Sequence, residues 1–282
     1  MNIVHARRVH LAPRKRPPVM DMNLAFHEDL LGRYGRRVDT AALDRGSFRS
    51  HQDLADALLA DPLPTRPRLI LVTQALPDLL PFTAVAPHID HRLHGNDTDT
   101  LCMGLSQAGI SAPFIALRTA SAYAIQDRYR EAAIFILEQS TLPSPRPTAS
   151  REDLADSGVL LLTGDQTGYV PRTVRSAASA DALETLARSL LAESVPTVAI
   201  LGHALGWDDI SERVMRPPAG HYATGIWAAY ADLTADPSAH RLRVLLADAD
   251  PATGDYHLAL LESQDATGPL PHVMCNDEAK SE

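Results

Sequence analysis

The sequence predicts an α/β fold built from two pseudo-equivalent β/α halves. Three observations point there. Short apolar runs alternate with Ala- and Leu-rich stretches of helical length. The runs are apolar on both faces, which suits strands covered on both sides. The second half of the chain repeats the order of the first.

Taken in order, the N-terminal stretch "MNIVHARRVHLAPRKRPP" is basic and lacks an apolar segment of leader type, so it does not read as a secretory signal. Arg7, Arg8, Arg14, Lys15 and Arg16 offer charge to an acidic partner, but a solvated, partly mobile segment is the simpler expectation. A helical region follows and ends at the prolines of "LADPLPTRPR" (59–68). "RLILVTQ" (68–74) is the first clear strand, and "TDTLCMGLS" (98–106) is another with alternating character. Residues 112–126 read as a helix through Phe114, Ile115, Leu117, Ala120, Ala122, Tyr123 and Ile125. The strand "AAIFILE" (132–138) precedes a Pro/Ser loop (140–153). "GVLLLTG" (158–164) runs into "LLLTGDQTG" (160–168), whose Gly164, Asp165 and Gly168 suggest a hairpin turn. "ADALETLARSLLAES" (180–194) holds good helix formers throughout. "TVAILGH" (197–203), "RLRVLLADAD" (241–250) and "YHLALLES" (256–263) are strands. Between them lie a Pro217-Pro218 connection (212–221) and the helical "HYATGIWAAYADL" (221–233).

The halves echo one another. "RLILVTQALPD" overlays "TVAILGHALGWD", bringing Gln74 onto His203. "GISAPFIALRTASAYA" overlays "GHYATGIWAAYADL", bringing Gly109 onto Gly220 and Ile110 onto His221. "AAIFILE" then meets "LRVLLAD", and "GVLLLTG" meets "YHLALLE". The offset between copies shrinks along the chain, so the second copy has shorter connections. Such a duplicated unit buries a shared core and leaves a cleft where the halves meet.

Composition narrows the function. The 282 residues carry a formal charge of −9 and a pI near 5.7, which argues against a nucleic-acid footprint. Cys102 and Cys275 are too few for a disulfide framework or a multi-cysteine zinc site. Cys102 reads as a small core residue. Cys275 sits in the polar tail "VMCNDEAKSE", which reads as disordered. No run is long and apolar enough to span a membrane, and a cytoplasmic location is expected.

These stretches together resemble the thiolase superfamily, specifically ketoacyl synthase III-like proteins. "LILVTQALPDLLPFTAVAPHIDHRL" is similar to the family's strand and its Pro-x-Thr-Ala stretch. "AGISAPFIALRTASAYAIQDRYREAAIFILEQS" is similar to the nucleophile turn, buried helix and following strand. "GHALGWD" and "GHYATGIWAAYADL" stand where the family has its His and Asn motifs. The resemblance covers roughly 60–263. It implies a thiolase-like fold, two halves packed as a five-layered αβαβα sandwich. It divides the chain into 1–60 (N-terminal segment and helical region of the first half), 61–170 (first half), 171–265 (second, shortened half) and 266–282 (tail). It also implies an acyl-coenzyme A or acyl-carrier-protein substrate and a dimer, either with a second copy or with a full-length ketoacyl synthase III-like subunit.

The family pattern is Cys–His–Asn: a thiolate attacks a thioester, and His and Asn bind the thioester oxygen. Here one overlay puts Ile110 at the cysteine position, and a one-residue slide puts Ser111 there. His203 matches the family His. Gly206 stands for one Asn and His221 for the other. One reading is a degenerate subunit beside a Cys-bearing partner, since Ile110 cannot attack. A second is a Ser111 acyltransferase with His203 as base, oriented by Asp208, Asp209 or His221. A third is a binding protein, or a hydrolase using other residues. Ser111 also has a plain role as a helix cap, and Pro113 fits a first turn. A metal held by His203, His221 and Asp208 lacks tight ligand spacing, and neither a metal nor another cofactor is expected. His88, His91 and His94 read as an exposed helix end, and Asp153 and Asp156 as loop and cap residues. Glu138 reads as an interface carboxylate. The connections that wall the family's coenzyme A tunnel are short here, which implies a reduced tunnel.

Overall fold

A computed structural model describes residues 1–15, 19–44, 46–95, 99–142, 154–192, 195–236, 239 and 242–264. Arg16, Asn96, Asp153, Cys275 and the expected tail 266–282 lie outside the described residues. The elements in chain order are β1 (Asn2–His10), α1 (Val19–Gly32), α2 (Thr40–Asp44), α3 (His51–Leu58), β2 (Leu69–Gln74), α4 (Val85–His94), β3 (Leu101–Ser106), α5 (Ser111–Tyr123), β4 (Ala132–Glu138), β5 (Ser157–Gly164), β6 (Tyr169–Ser176), α6 (Ala180–Leu190), β7 (Thr197–Leu201), β8 (Arg213–Met215), α7 (Gly225–Thr234), β9 (Arg243–Asp250) and β10 (Asp255–Ser263).

The strands run β3-β2-β4-β5-β1-β6-β10-β9-β7-β8. Read from the outer edges inward to the β1/β6 seam, the two halves have the same order. In each, two parallel pairings are followed by two antiparallel ones: β3-β2 and β2-β4, then β4-β5 and β5-β1, against β8-β7 and β7-β9, then β9-β10 and β10-β6. The halves join at one antiparallel pairing, Ile3 opposite Tyr169.

Strand alternation builds the layers. Leu69, Leu71, Ala132, Ile134 and Ile136 face a central core with Phe114 and Leu117 of α5 and Trp227 and Tyr230 of α7. Val198, Ile200, Val244 and Leu246 of the second half reach that same core. The opposite faces, Ile70, Val72, Phe135 and Leu137, meet α3 and α4. Ala199, Leu201 and Leu245 meet Leu183 and Ala187 of α6. Helices, sheet, helices, sheet and helix give five layers, with α5 and α7 sealed in the middle.

Three local expectations change. Residues 2–10 of the basic N-terminal segment form a strand: Asn2 and Ile3 are buried, Arg7 reaches the Asp61 carbonyl and Arg8 the Asp232 carboxylate. Residues 164–168 do not close a hairpin. β5 and β6 both flank β1, so that turn crosses from one half to the other. The short strand β8 lies inside the Pro217-Pro218 connection. The sheet edge of the first half is β3.

The histidines of α4 are not simply an exposed end either. The His94 side chain is buried, with Nδ1 3.0 Å from Asp90, and His88 Nε2 lies 3.0 Å from Asp56. Asp156 is buried, accepting from Ser47 Oγ and from Ser140 N at 2.8 Å. Cys102 is half-buried against the outer layer, donating to Ala86 O, and burial pushes its thiol up to about 12.

Candidate functional site

The mouths of α5 and α7 face each other across the seam. Gly109 (φ 53°) and Gly220 (φ 87°) both take left-handed backbone, so the residues paired by the sequence repeat share a conformation that favours glycine. A Cβ on Gly109 would also lie 2.9 Å from Tyr222 Oη. Ile110 packs with Ala75, Tyr222 and Ala223, which brings the two turns into contact.

A cavity of about 190 Å³ opens there, lined by Ile110, His203, His221, Tyr222, Asp248 and Asp250 among others. Ile110 is 2% exposed. His203 Nε2 points at the Pro218 carbonyl at 3.4 Å. His221 Nδ1 lies 3.0 Å from the Thr224 hydroxyl. Burial lowers the proton affinity of His221, and the nearby charges of His10, Arg8 and His203 lower it further, so this imidazole is neutral at pH 7. Asp248 goes the other way. Burial pushes it up to about 7, with Glu138 and Asp250 adding and the Ala249 N–H opposing. Tyr222 Oη donates to Asp250 at 2.6 Å.

Glu138 anchors this arrangement. Its carboxylate, at the end of β4, accepts from Tyr222 N (2.8 Å), Ala223 N (2.6 Å) and Thr224 N (3.1 Å). These are donors at the start of α7, whose N-terminus has no side-chain cap of its own. The expectation of a subunit-interface carboxylate is therefore corrected: Glu138 is fully buried and ties one half of the chain to the other. Burial pushes its carboxyl up to about 7, against the pull of those N–H groups.

Ser111 belongs to a different cavity, about 620 Å³, shared with Arg36, Gln107, Gly109, Tyr222 and Asp255 among others. It does not cap α5. The cap position is Ile110, with no side-chain bond, and Ser111 Oγ instead lies 2.9 Å from Asp255 Oδ1 and 2.8 Å from His257 Nε2. Ser111 and His203 thus line separate cavities. Asp208 pairs with Arg216 at 2.6 Å and Asp209 with Arg188 at 2.8 Å, so neither orients His203. A further cavity of about 420 Å³ has mainly apolar walls, including Phe26, Leu30, Leu76 and Leu142, and a polar end at Gln74 and Asp78. Among the described residues no group of three or more His, Cys, Asp or Glu is arranged to hold a metal. No described helix is long and apolar enough to cross a membrane.

His257, Asp255 and Tyr222 were not among the sequence candidates. A weak signal existed for His257. In "YHLALLES" it falls in step with Ala259 and Leu261, so a polar residue sits on the buried face of the strand.

No protein-family model matches the sequence, and no curated protein matches it. Solved structures do. The tetronic acid condensing enzyme AbyA1 superposes with a TM-score of 0.63 at 16% identity, over 93% of this chain and 99% of that one. A Xanthomonas campestris OleA variant with bound lauric acid and lauroyl-CoA gives 0.61 at 13% identity, over 93% and 98%. The 3-oxoacyl-[acyl-carrier-protein] synthase III of Aquifex aeolicus gives 0.57 at 15% identity, over 75% and 83%. The chain has the thiolase fold that these ketoacyl synthase III-like proteins share.

Proposed function

We propose that this chain is a ketoacyl synthase III-like subunit that handles acyl chains in polyketide- or fatty-acid-like metabolism, beside a condensing partner that supplies the cysteine. One observation carries the reading. The residue at the mouth of α5 that faces His203 and His221 is Ile110, a hydrocarbon that cannot attack, protonate or hold an oxyanion. What remains in that cavity is a neutral imidazole at His221, the His203 ring and the carboxyls of Asp248 and Asp250. These can hold a polar oxygen but form no covalent acyl intermediate. The substrate in this reading is an acyl group on coenzyme A or a carrier protein. The apolar walls of the 420 Å³ cavity support room for an acyl chain. The outer edge of β3, unpaired within the described chain, supports a dimer, with a second copy or with a full-length subunit.

Ile110→Cys tests the reading. A thiol there lies at a helix mouth, in the cavity that both imidazoles line, and the helix N-terminus favours the thiolate. Incubated with an acyl-coenzyme A, the variant is expected to gain an acyl group mapped to residue 110 that pretreatment with iodoacetamide prevents, and the native chain is expected to gain none at residue 110. Co-expression with a cysteine-bearing thiolase-fold protein is expected to yield a complex. Condensation catalysed by the native chain alone, or an Ile110→Cys chain that stays unmodified, would overturn it.

A further inference from the structure

Ser111 and Asp255 line the 620 Å³ cavity, and the buried His257 stands behind Ser111, a constellation that the Ile110 cavity does not share. Ser111 Oγ lies within hydrogen-bond reach of His257 Nε2 (2.8 Å) and Asp255 Oδ1 (2.9 Å), and Asp255 Oδ1 lies 3.9 Å from the same imidazole nitrogen. The three residues come from two elements brought together by the fold, α5 and the start of β10. Asp255 is itself held, since Thr253 Oγ1 donates to its other oxygen at 2.6 Å. The His257 ring is stacked on Phe114, with centroids 5.2 Å apart and planes at 22°. Its Nδ1 is buried and has no partner, so the network spends the ring's one hydrogen-bonding edge on Ser111.

We propose that Ser111 and His257 form a nucleophile–base pair that takes an acyl group from an ester or thioester bound in this cavity. The pair is independent of the Ile110 cavity and of the reading given to it. The components fit the requirement that a serine nucleophile have a base in contact and that the base be held. Burial lowers the proton affinity of His257, so the ring is neutral near pH 7 and can accept a proton. Phe114 fixes the ring plane. The charged groups around the ring are Asp255 on its own strand, Asp248 opposite it on β9, and Arg118 on α5. Asp255 favours the imidazolium and Arg118 opposes it. Asp255 sits on the Nε2 side of the ring, so it acts on the charge formed there and does not select a tautomer. The unpartnered Nδ1 leaves both tautomers open. In the resting state the Ser111 proton goes to Asp255 and Nε2–H donates to Ser111. In the reacting state the ring proton sits on Nδ1, and Nε2 accepts from Ser111.

The step balances. Ser111 Oγ forms a bond to the acyl carbon and its proton passes to His257 Nε2. The bond from that carbon to the thiolate or alkoxide breaks, and the leaving group takes the proton from His257. An alcohol, amine, thiol or water then gives His257 its own proton and bonds to the acyl carbon, the bond from that carbon to Ser111 Oγ breaks, and Oγ takes the proton back from His257. Gly109 lines the cavity beside Ser111, and its missing side chain leaves the room that the Tyr222 hydroxyl takes.

The test uses the full chain with p-nitrophenyl acetate, and separately with a fluorophosphonate probe followed by intact mass and peptide mapping. One phosphonyl group per chain on Ser111 is expected, together with slow ester turnover. Ser111→Ala should reduce both to background. His257→Gln should slow labelling at least about 100-fold, the range for loss of a general base. The labelling rate should rise with pH through a midpoint below the ordinary histidine value, and Asp255→Asn should move that midpoint lower still. Because His257→Gln removes a buried ring, Ser111→Cys gives an independent reading. Its thiol should be alkylated by iodoacetamide with a midpoint below the ordinary cysteine value of about 8.5. Labelling at another residue or none, a midpoint unmoved in Asp255→Asn, or a thiol in the Ser111→Cys variant that titrates at or above that ordinary value would each overturn the proposal. No outcome depends on acyl-coenzyme A, a partner subunit or residue 110, so failure here and failure of the subunit reading are distinguishable.

Discussion

Gly202 stands where β7 ends and His203 begins, and the space a side chain there would need belongs to Asp248: a Cβ would lie 1.8 Å from Asp248 Oδ1. The close approach puts a buried carboxyl beneath the peptide that carries His203. Gly202→Ala should therefore force Asp248 aside and destabilise the chain by about 1–3 kcal/mol, as overpacking a filled site does. Urea denaturation measures this, and a change within about 0.5 kcal/mol would mean that Asp248 moves freely. At this scale the sequence is uneven as a guide. The pairing of Gly109 with Gly220 was legible because a repeat preserves the backbone demand for glycine. The partners of Ser111 were not. They lie 144 and 146 residues away, and nothing in "GISAPF" reports what faces its hydroxyl.

The element whose start depends most on distant residues is α7. It opens without a side-chain cap of its own, and Glu138 of β4 takes the three backbone donors just ahead of it, Tyr222, Ala223 and the cap residue Thr224. Glu138→Gln places an amide NH₂ against N–H groups, at a cost of about 1–3 kcal/mol. The pH dependence has a definite sign. The Glu138 carboxyl stands near 7 in the folded chain against an ordinary 4.5, so its contribution is full below about 4.5 and fades as pH rises to 7. Asp248, also near 7, acts in the same direction. Glutamine does not titrate. The stability gap between the native chain and Glu138→Gln should be widest at about pH 5 and narrow towards about pH 8. A gap that widens with pH would show that the N–H donors outweigh burial. Among the elements, the apolar strands β2, β4, β5, β7, β9 and β10 were legible from their runs. β1 was not, because His5 and Arg7 stand on one face and Arg8 on the other, and charge on both faces masks the period of two. β6 was missed for a similar reason, with Pro171, Arg172 and Arg175 interrupting its apolar positions.

At the scale of the molecule, the duplication makes two half-sheets that share one middle layer. α5 and α7 touch strands of both halves, and Phe114 meets Trp227 edge-on there, with ring centroids 5.2 Å apart. Neither half can bury its inner sheet face without the other. A chain of 282 residues would ordinarily be free to unfold in stages. This one should lose both halves in a single transition. Its two tryptophans report the question directly: Trp227 lies in the shared layer, and Trp207 in the outer layer of the second half. Trp207→Phe leaves the first as the only indole, and Trp227→Phe leaves the second. In urea, the fluorescence midpoint of each variant should coincide with its own far-ultraviolet circular dichroism midpoint. If Trp207 changes while half of the dichroism persists, the second half unfolds alone. The shared layer would then be a contact between two self-sufficient units, and the cleft between the helix mouths would open before the sheets are lost.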